Sequence, residues 1–91
     1  MKGIPRTKSI QITLLNRYKR AKGHLDKVIK MLDGGEYCLD VVHQSIAVQA
    51  ALKKADQKVL ENHLNTCVSE SIKKGEDKEA IEEIMGVLRK I

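Results

Sequence analysis

From about Lys8 the apolar positions Leu14, Tyr18, Ala21, Leu25, Val28, Ile29 and Leu32 recur at spacings of three and four. That is the period of an amphipathic helix, and its polar side gathers Arg17, Arg20, His24 and Lys27 along one edge. The "DGG" at residues 33–35 ends the pattern, because Gly accepts the left-handed geometry of a helix C-terminus. A second segment, roughly residues 36–73, repeats Val41, Val48, Leu52, Ala55 and Val59, flanked by Leu39, Val42, Ile46, Leu60, Leu64, Val68 and Ile72. Gly75 breaks it. The closing "DKEAIEEIMGVLRKI" places Asp77 as an N-cap, Ile81, Ile84, Met85 and Leu88 on an apolar face, and Arg89 and Lys90 where the helix dipole favours cations. No window alternates with period two over the length of a strand. The pattern therefore predicts an all-α chain of three helices, the second very long.

A helix over residues 36–73 would span about 55 Å at about 1.5 Å per residue. A domain this small cannot cover such a rod, so it is expected to pack against a second chain.

Length and composition narrow the class. Ninety-one residues make one domain, 1–91. The chain is 42% hydrophobic but only 2% aromatic, so its core must be Leu, Ile, Val and Ala. No apolar run is long enough to cross a membrane, and "MKGIPRTKSI" lacks the apolar region of a secretory signal. A cytoplasmic address is expected. Charge is unevenly spread: residues 1–30 hold nine Lys or Arg against the single acid Asp26, whereas residues 31–91 hold eight against eleven acids. A basic N-terminal third on a chain of net charge +5 points to a polyanion, and nucleic acid is the common one in that compartment.

The candidate chemistry lies in the second segment, which holds both cysteines, Cys38 and Cys67, and His63 one turn before the latter. Cytosolic cysteines are seldom structural disulfides and read better as metal ligands or reactive thiols. At about 100° per residue, the 25 steps from Cys38 to His63 fall about 20° short of seven turns, and the 29 steps to Cys67 pass eight turns by about 20°. All three project from one face, yet Cys38 lies roughly 37 to 44 Å from the other two along a straight helix. One chain cannot gather them around one ion. Two antiparallel copies crossing near Ala51 and Leu52 can, and symmetry then makes two equivalent sites. A plain alternative, a satisfied histidine beside a buried thiol, would suffice for His63 and Cys67 alone but leaves Cys38 unexplained. Two thiolates and one imidazole form a soft set that suits Cu(I), with Zn(II) second and in need of a fourth ligand. No phosphate-binding loop, nucleophile elbow or acid–base pair accompanies it, so an enzyme is not expected. Glu82 and Glu83 read from spacing as ordinary surface charge.

The segments "LLNRYKRAKGHLDKVIKMLDGGEYCLDVVHQSIAVQAAL" and "LENHLNTCV", with Cys38, His63 and Cys67 as the distinctive constellation, resemble the metal- and thiol-sensing repressors of the copper-sensitive operon repressor family. The resemblance covers nearly the whole chain. It implies an antiparallel helical dimer that pairs into a homotetramer, holds Cu(I) between protomers, binds operator DNA in the apo form and releases it when metal binds. It further implies a DNA contact at Arg17, to which the sequence adds Arg20, Lys8, Lys19 and Lys22 of the same basic stretch. Tyr37 and Glu83 fall where the copper branch keeps hydrogen-bonding residues around its ligands. Nickel and cobalt sensors of the family use additional nitrogen ligands that "MKGI" does not supply. Formaldehyde-sensing relatives lack the second cysteine, and persulfide-sensing ones lack the histidine. His24 and His43 depart from the usual family residues; spacing alone places His24 on the polar edge and His43 at the surface or in packing. The competing readings are a thiol-redox repressor of the same fold, joined through Cys38 and Cys67, and a helical interaction protein with incidental thiols.

Overall fold

A computed structural model describes residues 7–65, 73–75 and 77–91. Its first helix, α1, runs Lys8–Asp33 and starts on a side-chain cap: the Ile10 amide donates to Thr7 Oγ1 at 3.2 Å. This satisfies one of the amides that a helix start leaves without a partner. At the other end the Gly35 amide donates to the Leu32 carbonyl and the Glu36 amide to the Met31 carbonyl, with Gly35 at φ +70°. That paired pattern requires a left-handed residue, which is why "DGG" stops the helix where expected. The second helix, α2, runs Cys38–His63, with Asp40 in its first turn. Leu64 keeps helical backbone angles, φ −62° and ψ −42°. The rest of the expected extension, including Cys67, Val68 and Ile72, lies outside the described residues. After a turn in which Gly75 takes φ +78°, a third helix, α3, runs Asp77–Leu88. The described residues contain no strand, and none of their helices is long and apolar enough to cross a membrane.

Helices α1 and α2 form an antiparallel hairpin whose seam repeats every seven residues. Leu14, Ala21 and Val28 are buried on α1, and Val41, Val48 and Ala55 on α2. A seven-residue repeat keeps one stripe of each helix facing the other along the whole contact. Ala21 and Ala55 are the most deeply buried of these, at 2% and 0% exposure, as small residues that leave little side chain between packed helices. Near the turn, Val28, Met31, Val41 and Val48 form one cluster. At the opposite end Ala80 and Ile84 of α3 bury against Leu60 of α2.

The hairpin buries less than the sequence pattern anticipates. Leu25, Ile29 and Leu32 on α1, with Leu39, Val42 and Ile46 on α2, remain exposed, Leu32 at 69%. Leu52, expected in the inner set, is also exposed, as are Ile81, Met85 and Leu88 of α3. The cause is geometric. The molecule measures 56 × 28 × 14 Å, and its thinnest dimension is close to the diameter of about 10–12 Å of one helix with side chains. A single layer of helices has one seam, so a second apolar stripe finds nothing within the chain to cover it.

Candidate functional site

Helix α2 holds the described candidate ligands at its two ends. Cys38 is its first residue and exposed; His63 is its last and half-buried. The helix between them is continuous, so they stand about 37 Å apart along the axis at nearly the same azimuth. Among the described residues no three His, Cys, Asp or Glu side chains gather closely enough to hold a metal ion. An exposed thiol and an imidazole are nonetheless soft and borderline donors of the kind that Cu(I) accepts.

Each end has its own company. Tyr37 precedes Cys38 as the N-cap of α2 and is 65% exposed, with no side-chain cap bond. At the far end an open groove of about 710 Å³ runs between α2 and α3 and is lined by His63, Glu83, Tyr18 and Asp56 together with apolar residues such as Ile84. Thus His63 and Glu83 share one groove, and Tyr37 adjoins Cys38, but the two groups sit at opposite ends of the hairpin. Glu83 is exposed, as spacing predicts, and it also lines the groove, because Ala80 and Ile84 anchor α3 against Leu60.

The groove also contains a pair that sequence reasoning missed. The Tyr18 hydroxyl donates to Asp56 Oδ1 at 2.7 Å, across the seam. Tyr18 had been counted as an apolar position. A tyrosine that packs along a seam still needs a partner for its hydroxyl, and only the helix pairing shows that Asp56 supplies one. Burial, aided by the hydrogen bond and the negative charge of Asp56, pushes the Tyr18 phenol up to about 12.

The basic edge of α1 faces a different groove, of about 280 Å³. Arg17, Arg20 and His24 line it from α1, and Ala51 and Lys54 from α2. No carboxylate lines it among the described residues, and there Arg17, Arg20 and Lys54 make no ion pair. Lys54 lies outside the basic N-terminal stretch, so sequence position gave no signal of its place here. Lys8, Lys19 and Lys22 are exposed on α1 and do not line this groove. His24 is not a solvated edge residue: it is half-buried, and its ring N–H donates from Nε2 to Gln44 Oε1 at 2.7 Å. It stands three residues after Ala21, which turns it toward α2. His43 is exposed.

The profile of the metal-sensitive transcriptional repressors matches residues 11–90 of this chain. Over 75 residues the chain is 44% identical to the copper-sensing transcriptional repressor CsoR of Mycobacterium ulcerans, an alignment that covers 82% of this chain and 64% of that protein. The chain thus spans less than two thirds of that relative's length. It is 40% identical over 80 residues to the copper-sensing transcriptional repressor CsoR of Bacillus subtilis, covering 88% of this chain and 77% of that one. Its fold matches the crystal structure of the copper-sensing repressor CsoR with Cu(I) from Geobacillus thermodenitrificans with a TM-score of 0.90 at 36% identity, over 97% of this chain and 92% of the other.

Proposed function

The chain belongs to the family of metal-sensitive transcriptional repressors, and from that premise we propose that it is a Cu(I)-sensing repressor, holding operator DNA in its metal-free form and releasing it when Cu(I) binds between two chains. The observation that carries this reading is the continuity of α2 from Cys38 to His63. Two donors on one face of one rod, about 37 Å apart, can reach a common ion only if a second rod lies antiparallel beside the first. Cys38 of one chain then meets His63 and Cys67 of the other. The exposed stripes Leu25–Ile29–Leu32 and Leu39–Val42–Ile46 supply an apolar face for such a partner, and support a dimer that pairs into a tetramer. The copper-sensing relatives and the Cu(I)-containing structural neighbour favour copper over zinc.

In this reading Cys38, as a thiolate, and the neutral ring of His63 bind the ion, and Tyr37 and Glu83 orient them by hydrogen bonding. Bound Cu(I) supplies a soft, low-coordinate centre that ties the two chains together. Arg17, Arg20 and Lys54 meet phosphates from one groove, with Lys8, Lys19 and Lys22 adding charge along α1. The family is one of transcriptional repressors rather than enzymes, so residues 1–91 act as one regulatory domain in the cytoplasm, on double-stranded DNA and not at a membrane.

The test is an anaerobic Cu(I) titration of the reduced protein, followed by X-ray absorption and by binding to DNA from its own upstream region. One Cu(I) per chain, coordinated by two sulfurs and one nitrogen, with DNA released at that equivalence, is the expected outcome. Weak Cu(I) binding, with release only on thiol modification, would instead assign the protein to thiol sensing.

A further inference from the structure

The groove that holds His63 and Glu83 is bounded on its α1 side by the hydrogen bond from Tyr18 to Asp56. Tyr18 directly follows Arg17, so the two side chains leave α1 about 100° apart. One enters the His63 groove and the other the cationic groove with Arg20 and Lys54. Asp56 precedes His63 by seven residues, about 20° short of two turns, so both lie on one strip of α2. The 2.7 Å contact therefore joins the helix that carries the arginines to the strip that ends in His63.

A second side-chain hydrogen bond crosses the same seam, between His24 Nε2 and Gln44 Oε1 at 2.7 Å, six residues further along α1 and away from the His63 groove. Ala21 and Ala55 are buried but present no long side chain to interlock. Apolar contact is also non-directional, whereas a hydrogen bond fixes both distance and angle. If His63 is drawn toward a ligand, the strip of α2 that holds Asp56 shifts with it, and the hydrogen bond passes that shift to α1 as a rotation. Any rotation that moves Tyr18 re-aims Arg17 one residue away.

We propose that the Tyr18–Asp56 hydrogen bond is the positioning contact that carries the state of the His63–Glu83 groove to Arg17 and Arg20, so that Tyr18 sets how strongly metal binding weakens DNA binding. This rests on the copper-sensing reading and extends it to a named contact between the two grooves.

The experiment compares wild type, Tyr18→Phe, Asp56→Ala, the double variant and Asp56→Asn. Operator affinity is read by fluorescence anisotropy at fixed salt, metal-free and Cu(I)-loaded, and Cu(I) affinity by chelator competition with and without operator. Tyr18→Phe keeps the ring in the groove. Its metal-free operator affinity and its DNA-free Cu(I) affinity should stay within about twofold of wild type, while the ratio of metal-free to loaded operator affinity falls by about fivefold or more. Reciprocity requires Cu(I) affinity in the presence of operator to rise by the same factor. Asp56→Ala should show the same fall and the double variant no more than either single change, because one contact is lost in all three. Asp56→Asn, whose carbonyl oxygen still accepts, should keep most of the wild-type ratio. A wild-type ratio in Tyr18→Phe, or a fall confined to Asp56→Ala, overturns the proposal while the copper-sensing reading stands. A wild-type protein whose operator affinity ignores Cu(I) overturns both.

Discussion

The two grooves that flank the first half of α1 share a helix and differ in charge. Arg17, Arg20, His24 and Lys54 face one with no carboxylate among the described residues. Asp56 and Glu83 face the other, together with Lys90, Tyr18 and His63. Tyr18 and Arg17 are neighbours in sequence yet line different grooves, Arg17 also lining one that holds Lys58 and Glu61. Cations grouped without a counter-charge repel one another unless an external anion or water intervenes, and a duplex supplies phosphates at regular intervals. In the other groove the Asp56 carboxylate already accepts from the Tyr18 hydroxyl within the chain. One groove is thus arranged to meet something from outside, and the other to hold its own groups in place. Their common wall is the paired α1 and α2.

Breaking the metal side alone should have the largest effect. Cys38→Ala removes a proposed ligand, and its Cu(I) affinity in chelator competition should fall by more than the roughly 10- to 100-fold that loss of a ligand-orienting neighbour costs. Its metal-free operator binding should persist, because Cys38 lies far from the cationic groove. Loss of DNA binding as complete as the loss of copper would join the two functions in one site and erase the comparison.

Breaking the DNA side should be smaller and dependent on salt. Arg17→Ala and Lys54→Ala should each weaken operator binding and lower the slope of log affinity against log salt by about 1, while Cu(I) affinity is unchanged. An unchanged slope in both would remove phosphate from the cationic groove.

The smallest effect concerns the wall itself. The Tyr18 phenol is raised from 10.0 to about 12 in the folded chain, so the fold favours its protonated form. Between pH 10 and 12 the unfolded chain binds fewer protons than the folded one, and stability must fall with rising pH. The contribution is fully present below pH 10 and gone above about 12. Denaturant midpoints of wild type should therefore decline across this window more steeply than those of Tyr18→Phe. Parallel declines would show that burial and Asp56 together do not hold the phenol in its protonated form.

Much of the fold was legible because it follows from pitch and local chemistry. The apolar period places α1 and α3, the glycine pair at 34–35 ends α1 where expected, and 100° per residue puts Cys38 and His63 on one face of α2 at opposite ends. The separation of charge between the N-terminal third and the rest of the chain is likewise a property of the sequence alone. What the sequence left open was which apolar stripe would be buried. Leu14, Ala21 and Val28 and the exposed Leu25, Ile29 and Leu32 satisfy the same period, and only the pairing of α1 with α2 distinguishes them. The same pairing gave His24 on the polar edge a partner in Gln44, carried Lys54 to the arginines, and set Tyr18 against Asp56, a partner 38 residues away. Pitch is a property of neighbouring residues and can be read along the chain. A contact across the seam depends on how two helices slide and roll against each other, and no local pattern encodes that.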